Sequence, residues 1–330
     1  MFKYIFSKYL FVLLSVPVLI IVYENNMWNF FNSRVTEDSY PTIQAMLKPA
    51  PLNETLFVYG RGRLGNLMFI FAAGLGLAAK TSKTLRVSPY FWDRGRCFNI
   101  PPEFIMRNRF NKKLQKSVVL REELPRKFSS SMVKQISQGI NKQCYAYGFL
   151  QSWKYFENVE HEIRNFFKQK FKTKKAGLNY VNQLKKSKRP IVGIHVRLRD
   201  TANDKRLRKG TKEYFTTATT LMKKLLGNRR PLFVLLTNDR LKVQEQFKEM
   251  IDSEEATLTP EHLSDRCVEL EILSSCDHTI ITHGTFGWWG AFLSNGYTIY
   301  IKNYAVENLL FYNITVPEDF FPKDWIGLNV

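Results

Sequence analysis

The stretch Pro190-Ile191-Val192-Gly193-Ile194-His195-Val196-Arg197-Leu198-Arg199-Asp200 sets the fold: an apolar run that ends abruptly in charge. A run of this kind, bounded by proline and a polar loop, reads as a strand buried on both faces. The pattern repeats downstream. Leu232–Thr237 is a second strand and leads into Thr237-Asn238-Asp239. His278–Thr282 is a third and leads into Thr282-His283-Gly284-Thr285-Phe286-Gly287. Helical stretches lie between and after them: Thr211–Leu226 closed by Gly227, Leu241–Met250, the amphipathic Glu261–Cys276, and Thr285–Ser294 before a last strand, Thr298–Ile301. Upstream, the short strands Leu56–Tyr59 and Leu85–Val87 flank the Ala- and Gly-rich helix Leu67–Ala79. Strands alternating with helices predict an α/β protein with parallel sheets covered on both faces. Ligands of such sheets sit beyond the carboxyl ends of the strands, so the three polar strand ends place the site in the C-terminal half.

Each strand end has its own chemistry. Side chains alternate along a strand, so His195 and Arg197 share a face. A guanidinium offers a planar fork of donors that matches a phosphate; an Arg at a strand end paired with Asp200 reads equally well. Thr285 opens a helix, where backbone N–H groups and the dipole attract anions, or it serves as an ordinary N-cap. Trp288 and Trp289 read as core. Gly60-Arg61-Gly62-Arg63-Leu64-Gly65 fits the dinucleotide fingerprint G-x-G-x-x-G between a strand and a helix. The acidic residue expected about 20 positions on is missing, and two arginines are unusual there. A glycine-rich turn facing another ligand is the better reading. No Asp-x-Asp, H-E-x-x-H, C-x-x-C or G-x-S-x-G occurs, so no metal site is expected, and arginines and helix termini must neutralise any bound diphosphate.

The ends of the chain speak to compartment. The 330 residues carry 49 Lys+Arg against 29 Asp+Glu, a formal charge of +20, with 45% hydrophobic residues. This composition excludes a disordered chain, and four cysteines exclude a disulfide-dense mini-scaffold. The basic excess reads mostly as a solvated Lys-rich surface. Tyr9–Tyr23 is uncharged and spans about 22 Å as a helix. Lys3 and Lys8 precede it and Glu24 follows, which orients the N-terminus to the cytosol. Tyr23-Glu24-Asn25-Asn26 is a poor cleavage sequence, so an uncleaved anchor is preferred to a signal peptide. The expected organisation is a cytosolic tail 1–8, a transmembrane signal anchor 9–23 and a luminal stem 24–52. Glycosylation sequons stand at Asn53 and Asn313. In an oxidising lumen Cys97, Cys144, Cys267 and Cys276 have three possible pairings, with buried thiols the alternative.

Taken together the motifs resemble a known family. Gly62-Arg63-Leu64-Gly65-Asn66-Leu67-Met68-Phe69 resembles the GRLGNQMF-type opening of family 11 glycosyltransferases, the galactoside α-1,2-fucosyltransferases. Gly193–Asp200 is similar to their GVHVRRGD, Thr237-Asn238-Asp239 to their SND, Gly284–Trp289 to their GTFGxW, and Tyr147–Trp153 to a GYxQSW segment. The matches keep family order from residue 60 to about 300. The resemblance implies a GT-B-like α/β fold, two Rossmann-type domains facing a cleft. Residues 53–185 would form the N-terminal, acceptor-side part and 186–330 the part that binds GDP-fucose. It further implies an inverting transfer of L-fucose from GDP-fucose, without metal or other cofactor, to O2 of a terminal β-galactoside on a glycan, in the Golgi membrane with single-pass type II topology. By position, Arg197 would hold the β-phosphate, and Asn66 would line the cleft near the phosphates or the acceptor. His195, Asn238, Asp239, Thr285, Phe286 and Gly287 would lie on the donor side. Asp200 is the only matched carboxylate near the motif and stands as a catalytic candidate or a structural partner for an Arg. Leu198 stands where the family has a second Arg, Arg199 where it has Gly, and Leu67 where it has Gln. Those departures motivate a second reading, an inactive family member that binds glycans or acts as a luminal scaffold. A nucleotide-dependent oxidoreductase rests on the glycine pattern alone, and a nucleic-acid partner is not expected of a luminal protein.

Overall fold

The computed structural model describes residues 51–91, 97–106, 118–138, 143–169, 171–173, 175–198, 203–227 and 229–330, which belong to the compact unit Pro41–Val330. The predicted tail, the anchor and nearly all of the stem lie outside the described residues, as do Arg199 and Asp200. Among the described residues no helix is long and apolar enough to cross a membrane.

Two parallel sheets carry the structure. The first holds β1 (Thr55–Val58), β2 (Thr84–Val87), β3 (Val118–Arg121) and β4 (Cys144–Tyr147) in the order β2-β1-β4-β3. The second holds β5 (Ile191–Val196), β6 (Leu232–Thr237), β7 (Ala256–Leu258), β8 (His278–Ile281), β9 (Thr298–Ile301) and β10 (Ile326–Leu328) in the order β10-β9-β8-β5-β6-β7. The second sheet therefore runs outward from β5 in one direction, then returns and runs outward from β8 in the other. That is the doubly wound arrangement, with its topological switch point between β5 and β8. The first sheet reverses between β1 and β4. Every residue of β5 is buried, which is why the sequence shows no polar alternation there.

Helix α1 (Leu64–Lys80) ties the two sheets together. It is apolar all round, and such a helix must be covered on every side. It packs on β1 and β2 with one face and on the helix that follows β8 with another. The approach is close: a Cβ on Gly65 would lie 2.6–2.8 Å from the hydroxyl and main chain of Thr285, so only glycine fits. Phe69, in α1, meets Trp288 at 4.4 Å and Trp289 at 5.1 Å between ring centroids. Both tryptophans are core residues, 1% and 0% exposed. Their indole N–H groups donate to Phe320 O and Gly65 O, each at 2.9 Å. Truncating such a ring to Ala costs about 3–5 kcal/mol.

The C-terminal segment also returns to the first half, on the segments that follow β3 and β4. The Asp319 carboxylate accepts from Phe128 N at 2.8 Å and from the Lys154 ammonium at 2.6 Å, and Asp319 O accepts from Ser152 Oγ at 2.7 Å. Helix α2 (Ser130–Gln138) and helix α3 (Glu160–Gln169) complete the first half. Helix α4 (Ala176–Lys185) packs instead on α8 (Arg266–Ser275), beside β5. A disulfide joins Cys97 to Cys267, the first residues of α8 being its anchor on the second half. Cys144 and Cys276 are buried thiols, and burial pushes Cys276 up to about 12. Replacing Cys267 by Ser removes a cross-link between residues 170 apart. An equilibrium denaturation curve should show a loss of about 2–5 kcal/mol. An unchanged midpoint would mean that the bridge does not form.

Two helices differ from the sequence expectation. The segment Glu261–Cys276 is a short 3-10 turn, Glu261–Leu263, followed by α8. Asp265 starts that helix by accepting from Cys267 N and Val268 N at 2.8 and 3.4 Å, as an N-cap does. The segment Leu241–Met250 breaks at Phe247 into α6 (Arg240–Gln246) and α7 (Lys248–Asp252). Phe247 is 2% exposed and packs on Phe215 at 5.0 Å, so the chain turns there to bury the ring. The intervening α5 (Lys212–Leu225) starts where Thr211 accepts from Tyr214 N at 3.2 Å.

Candidate active site

The carboxyl ends of both sheets meet at one place. The end of β5 is tied to its neighbours on either side. Arg197 N donates to Thr282 Oγ1 at 3.1 Å, beyond β8, and Leu198 N donates to Asn238 Oδ1 at 2.9 Å, beyond β6. These bonds fix the main chain from which the Arg197 side chain springs. The guanidinium lies over Gly284, whose φ of +105° and lack of a side chain make room for it. Gly284 is the N-cap of α9 (Thr285–Ser294), so this helix start faces Arg197.

His195 is 8% exposed and lies beneath α9. Its ring packs on Phe286 at 5.3 Å, and a Cβ on Gly287 would sit 2.6 Å from His195 Nδ1. The three residues therefore form one packed unit under the helix start. Thr285 does not cap its own helix. Its hydroxyl reaches across to the first half and donates to Asn66 Oδ1 at 3.1 Å. The same oxygen accepts from Gln151 Nε2 at 2.9 Å.

A cavity of about 180 Å³ opens beside this junction, lined by Arg63, Arg126, Arg197, Asp204, Tyr304 and neighbouring residues of both halves. Three guanidiniums thus face one small space. Asp204 is the single carboxylate among its lining residues, and it is engaged with Arg206 through two bonds of 2.8 Å. That bonding holds its carboxyl down at about 2. Arg126 is buried, and its hydrogen-bond partners among the described residues are neutral: Gln151 Oε1 at 3.1 Å, the Tyr304 hydroxyl, and Thr315 Oγ1 at 3.4 Å. Burial pushes this guanidinium down from its ordinary value; Tyr304 pulls it back up and the Arg197 charge lowers it again. A buried cation with neutral partners beside two more cations favours an anion in the cavity.

Of the residues expected at the site, Arg197 lines the cavity; Asn66 and Thr285 are joined to each other at the junction, and they, His195, Phe286 and Gly287 are not among the lining residues. Asn238 is engaged in the β5 tie, and Asp239 lies 3.8 Å from Lys242 at the start of α6; neither lines the cavity. The two loop arginines divide: Arg63 lines the cavity, whereas Arg61 stacks over Phe149 at 4.3 Å and Tyr147 at 5.2 Å. Arg126, Gln151 and Tyr304 are additions that sequence reasoning did not single out; only Gln151 carried a signal, its place in the Gln151-Ser152-Trp153 segment. Among the described residues no group of three His, Cys, Asp or Glu side chains is placed to hold a metal ion.

The model of Glycosyl transferase family 11 matches residues 26–329. The chain belongs to that family. The glycosyltransferase is 26% identical over 294 residues to galactoside alpha-(1,2)-fucosyltransferase 1 of Homo sapiens, an alignment covering 85% of this chain and 77% of the relative. The Pan troglodytes protein of the same name is 26% identical over the same span, with 76% of it covered. Among solved structures, a variant of Arabidopsis thaliana FUT1 in complex with GDP superposes with a TM-score of 0.53 at 13% identity, covering 77% of this chain and 71% of that one. The likeness is one of fold, and the two parallel sheets fit a GT-B-like arrangement. Family membership displaces the oxidoreductase reading of the glycine-rich loop, which here presents a guanidinium to the cavity.

Proposed function

We propose that the protein transfers L-fucose from GDP-fucose, with inversion and without metal, to O2 of a terminal β-galactoside. The observation that carries the reading is the cavity where Arg63, Arg126 and Arg197 converge at the strand ends of a family 11 chain. A nucleoside diphosphate is the leaving group of such a donor, and it departs as an anion. In the reaction the acceptor O2 attacks fucose C1 as the C1–O bond to the β-phosphate breaks. The bonding pair leaves with GDP, and the O2 proton passes to a base or to solvent. Arg197 and the α9 N-terminus stabilise charge on the departing phosphate; such donors act most strongly where charge develops. Asn66 lies at the junction of the two halves, bonded to Gln151 and Thr285, and braces the loop that carries Arg63 to the donor. The named relatives support the substrate pair: both are galactoside alpha-(1,2)-fucosyltransferases. Incubation with GDP-fucose and a panel of β-galactosides tests the reading. The expected product is α-1,2-linked, and a 2-deoxygalactoside should give none; transfer to the deoxy acceptor would refute the choice of O2.

A single-pass type II Golgi location, with the anchor at 9–23 and the division at 53–185 and 186–330, belongs to the same proposal. The Cys97–Cys267 disulfide supports an oxidising compartment. Asn53 and Asn313 are both exposed and have room for glycans. Digestion with an N-glycosidase should therefore lower or sharpen the gel band of protein expressed in a eukaryotic cell. An unmoved band from cytosolic protein would refute the topology.

A further inference from the structure

Asn66 owes its orientation to a chain of side chains that begins at Arg126. A guanidinium has donors only. Arg126 Nε donates to Gln151 at 3.1 Å, so the atom that receives it must be the amide oxygen, Oε1. This leaves Gln151 Nε2 facing Asn66 at 2.9 Å, and a donor there requires Asn66 to present Oδ1. The Thr285 hydroxyl donates to the same oxygen at 3.1 Å. Asn66 Nδ2 is consequently turned the other way, against Gly62, where a Cβ would collide with it. Gly62 is exposed, and Asn66 is half-buried. An asparagine amide looks nearly the same when rotated by a half-turn, and the choice is normally made by its neighbours. Here one cation makes the choice and passes it along two amides.

We propose that Gln151 is a positioning residue, which transmits the donor polarity of Arg126 to Asn66 and so holds the Asn66 NH2 against the Gly62 turn, next to Arg63 of the cavity. This rests on the fucosyl-transfer reading, in which the loop that Asn66 braces carries Arg63 to the donor diphosphate. The relay also joins the two halves, because Arg126 is held by Tyr304 and Thr315 from the second half, and Asn66 by Thr285 from the same half.

Gln151→Glu in the full-length protein is the test. A carboxylate accepts from Arg126 and pairs with its charge, so folding is retained, but it cannot donate to Asn66 Oδ1. The Asn66 amide should turn its NH2 toward the new carboxylate. The expected result is a fall in kcat of about ten-fold or more with an undiminished Tm; affinity for GDP falls as well, because the carboxylate pairs with Arg126 of the cavity, whereas the uncharged Gln151→Met leaves that cation unpaired. Gln151→Met, which neither accepts nor donates well, should fall between. A second measurement does not depend on turnover: hydrogen exchange of the Asn66 side-chain amide, assigned by its loss in Asn66→Asp. Its protons should become more protected in Gln151→Glu. An unchanged kcat, or unchanged exchange at Asn66, overturns the inference. If the wild-type protein does not turn over GDP-fucose, the fucosyl-transfer reading fails, and the exchange result alone then decides whether Gln151 orients Asn66.

Discussion

Arg197→Ala should lower turnover by at least ten-fold while leaving the fold intact. The side chain leaves a strand end whose main chain is held by Thr282 and Asn238, so its removal does not loosen β5. A hydrogen bond to a charged group contributes about 1.5–3 kcal/mol. A donor aimed at charge that grows in the transition state has larger effects, about 10²–10³ in kcat for an oxyanion-hole donor. The loss should therefore appear mainly in kcat. Arg197→Lys should recover little, because an ammonium lacks the planar fork. Steady-state kinetics and a thermal melt check both halves of this expectation. Near-normal turnover of Arg197→Ala would remove the phosphate role.

Gly284→Ala should have an effect of the same order, by a different route. Gly284 holds φ +105°, a conformation that costs an L-residue about 1–3 kcal/mol. Its added Cβ would also land on the Arg197 guanidinium. The backbone strain lowers Tm, and the displaced guanidinium lowers kcat. The two effects separate from those of Arg197→Ala in the melt, where only Gly284→Ala should be destabilised. In the double variant the loss of turnover should be less than the product of the single losses, because both act through one side chain. Fully multiplicative losses would show that Gly284 does not act by seating Arg197.

The two halves of the fold were not equally legible. Ile191–Val196, Leu232–Thr237 and His278–Ile281 are the central strands of the second sheet, and they read as continuous apolar runs because both their faces are covered. In the first sheet, β3 and β4 are four residues each and carry exposed or half-exposed Val118, Val119, Tyr145 and Tyr147. Such short strands inside a basic and aromatic segment give too little periodicity to stand out. The α6–α7 break at Phe247 was hidden for a related reason: a helical pattern continues through it, and only tertiary burial of the ring forces the turn. The site was legible where it is local. Arg197, Thr285 and Asn66 lie in motifs that end strands or open helices. Arg126 is one of many arginines in sequence and joins the site by meeting Tyr304, 178 residues later. No local pattern encodes a contact of that range.

In the proposed reaction arginines and a helix terminus, not a divalent ion, receive the diphosphate as fucose leaves. Release of GDP from GDP-fucose in the presence of a β-galactoside, measured in excess chelator, tests this most directly. GDP should appear in step with the α-1,2-fucosylated product, at a rate little changed by adding Mg²⁺ or Mn²⁺. Absence of GDP release with every acceptor, or release abolished by the chelator and restored by Mn²⁺, would contradict it.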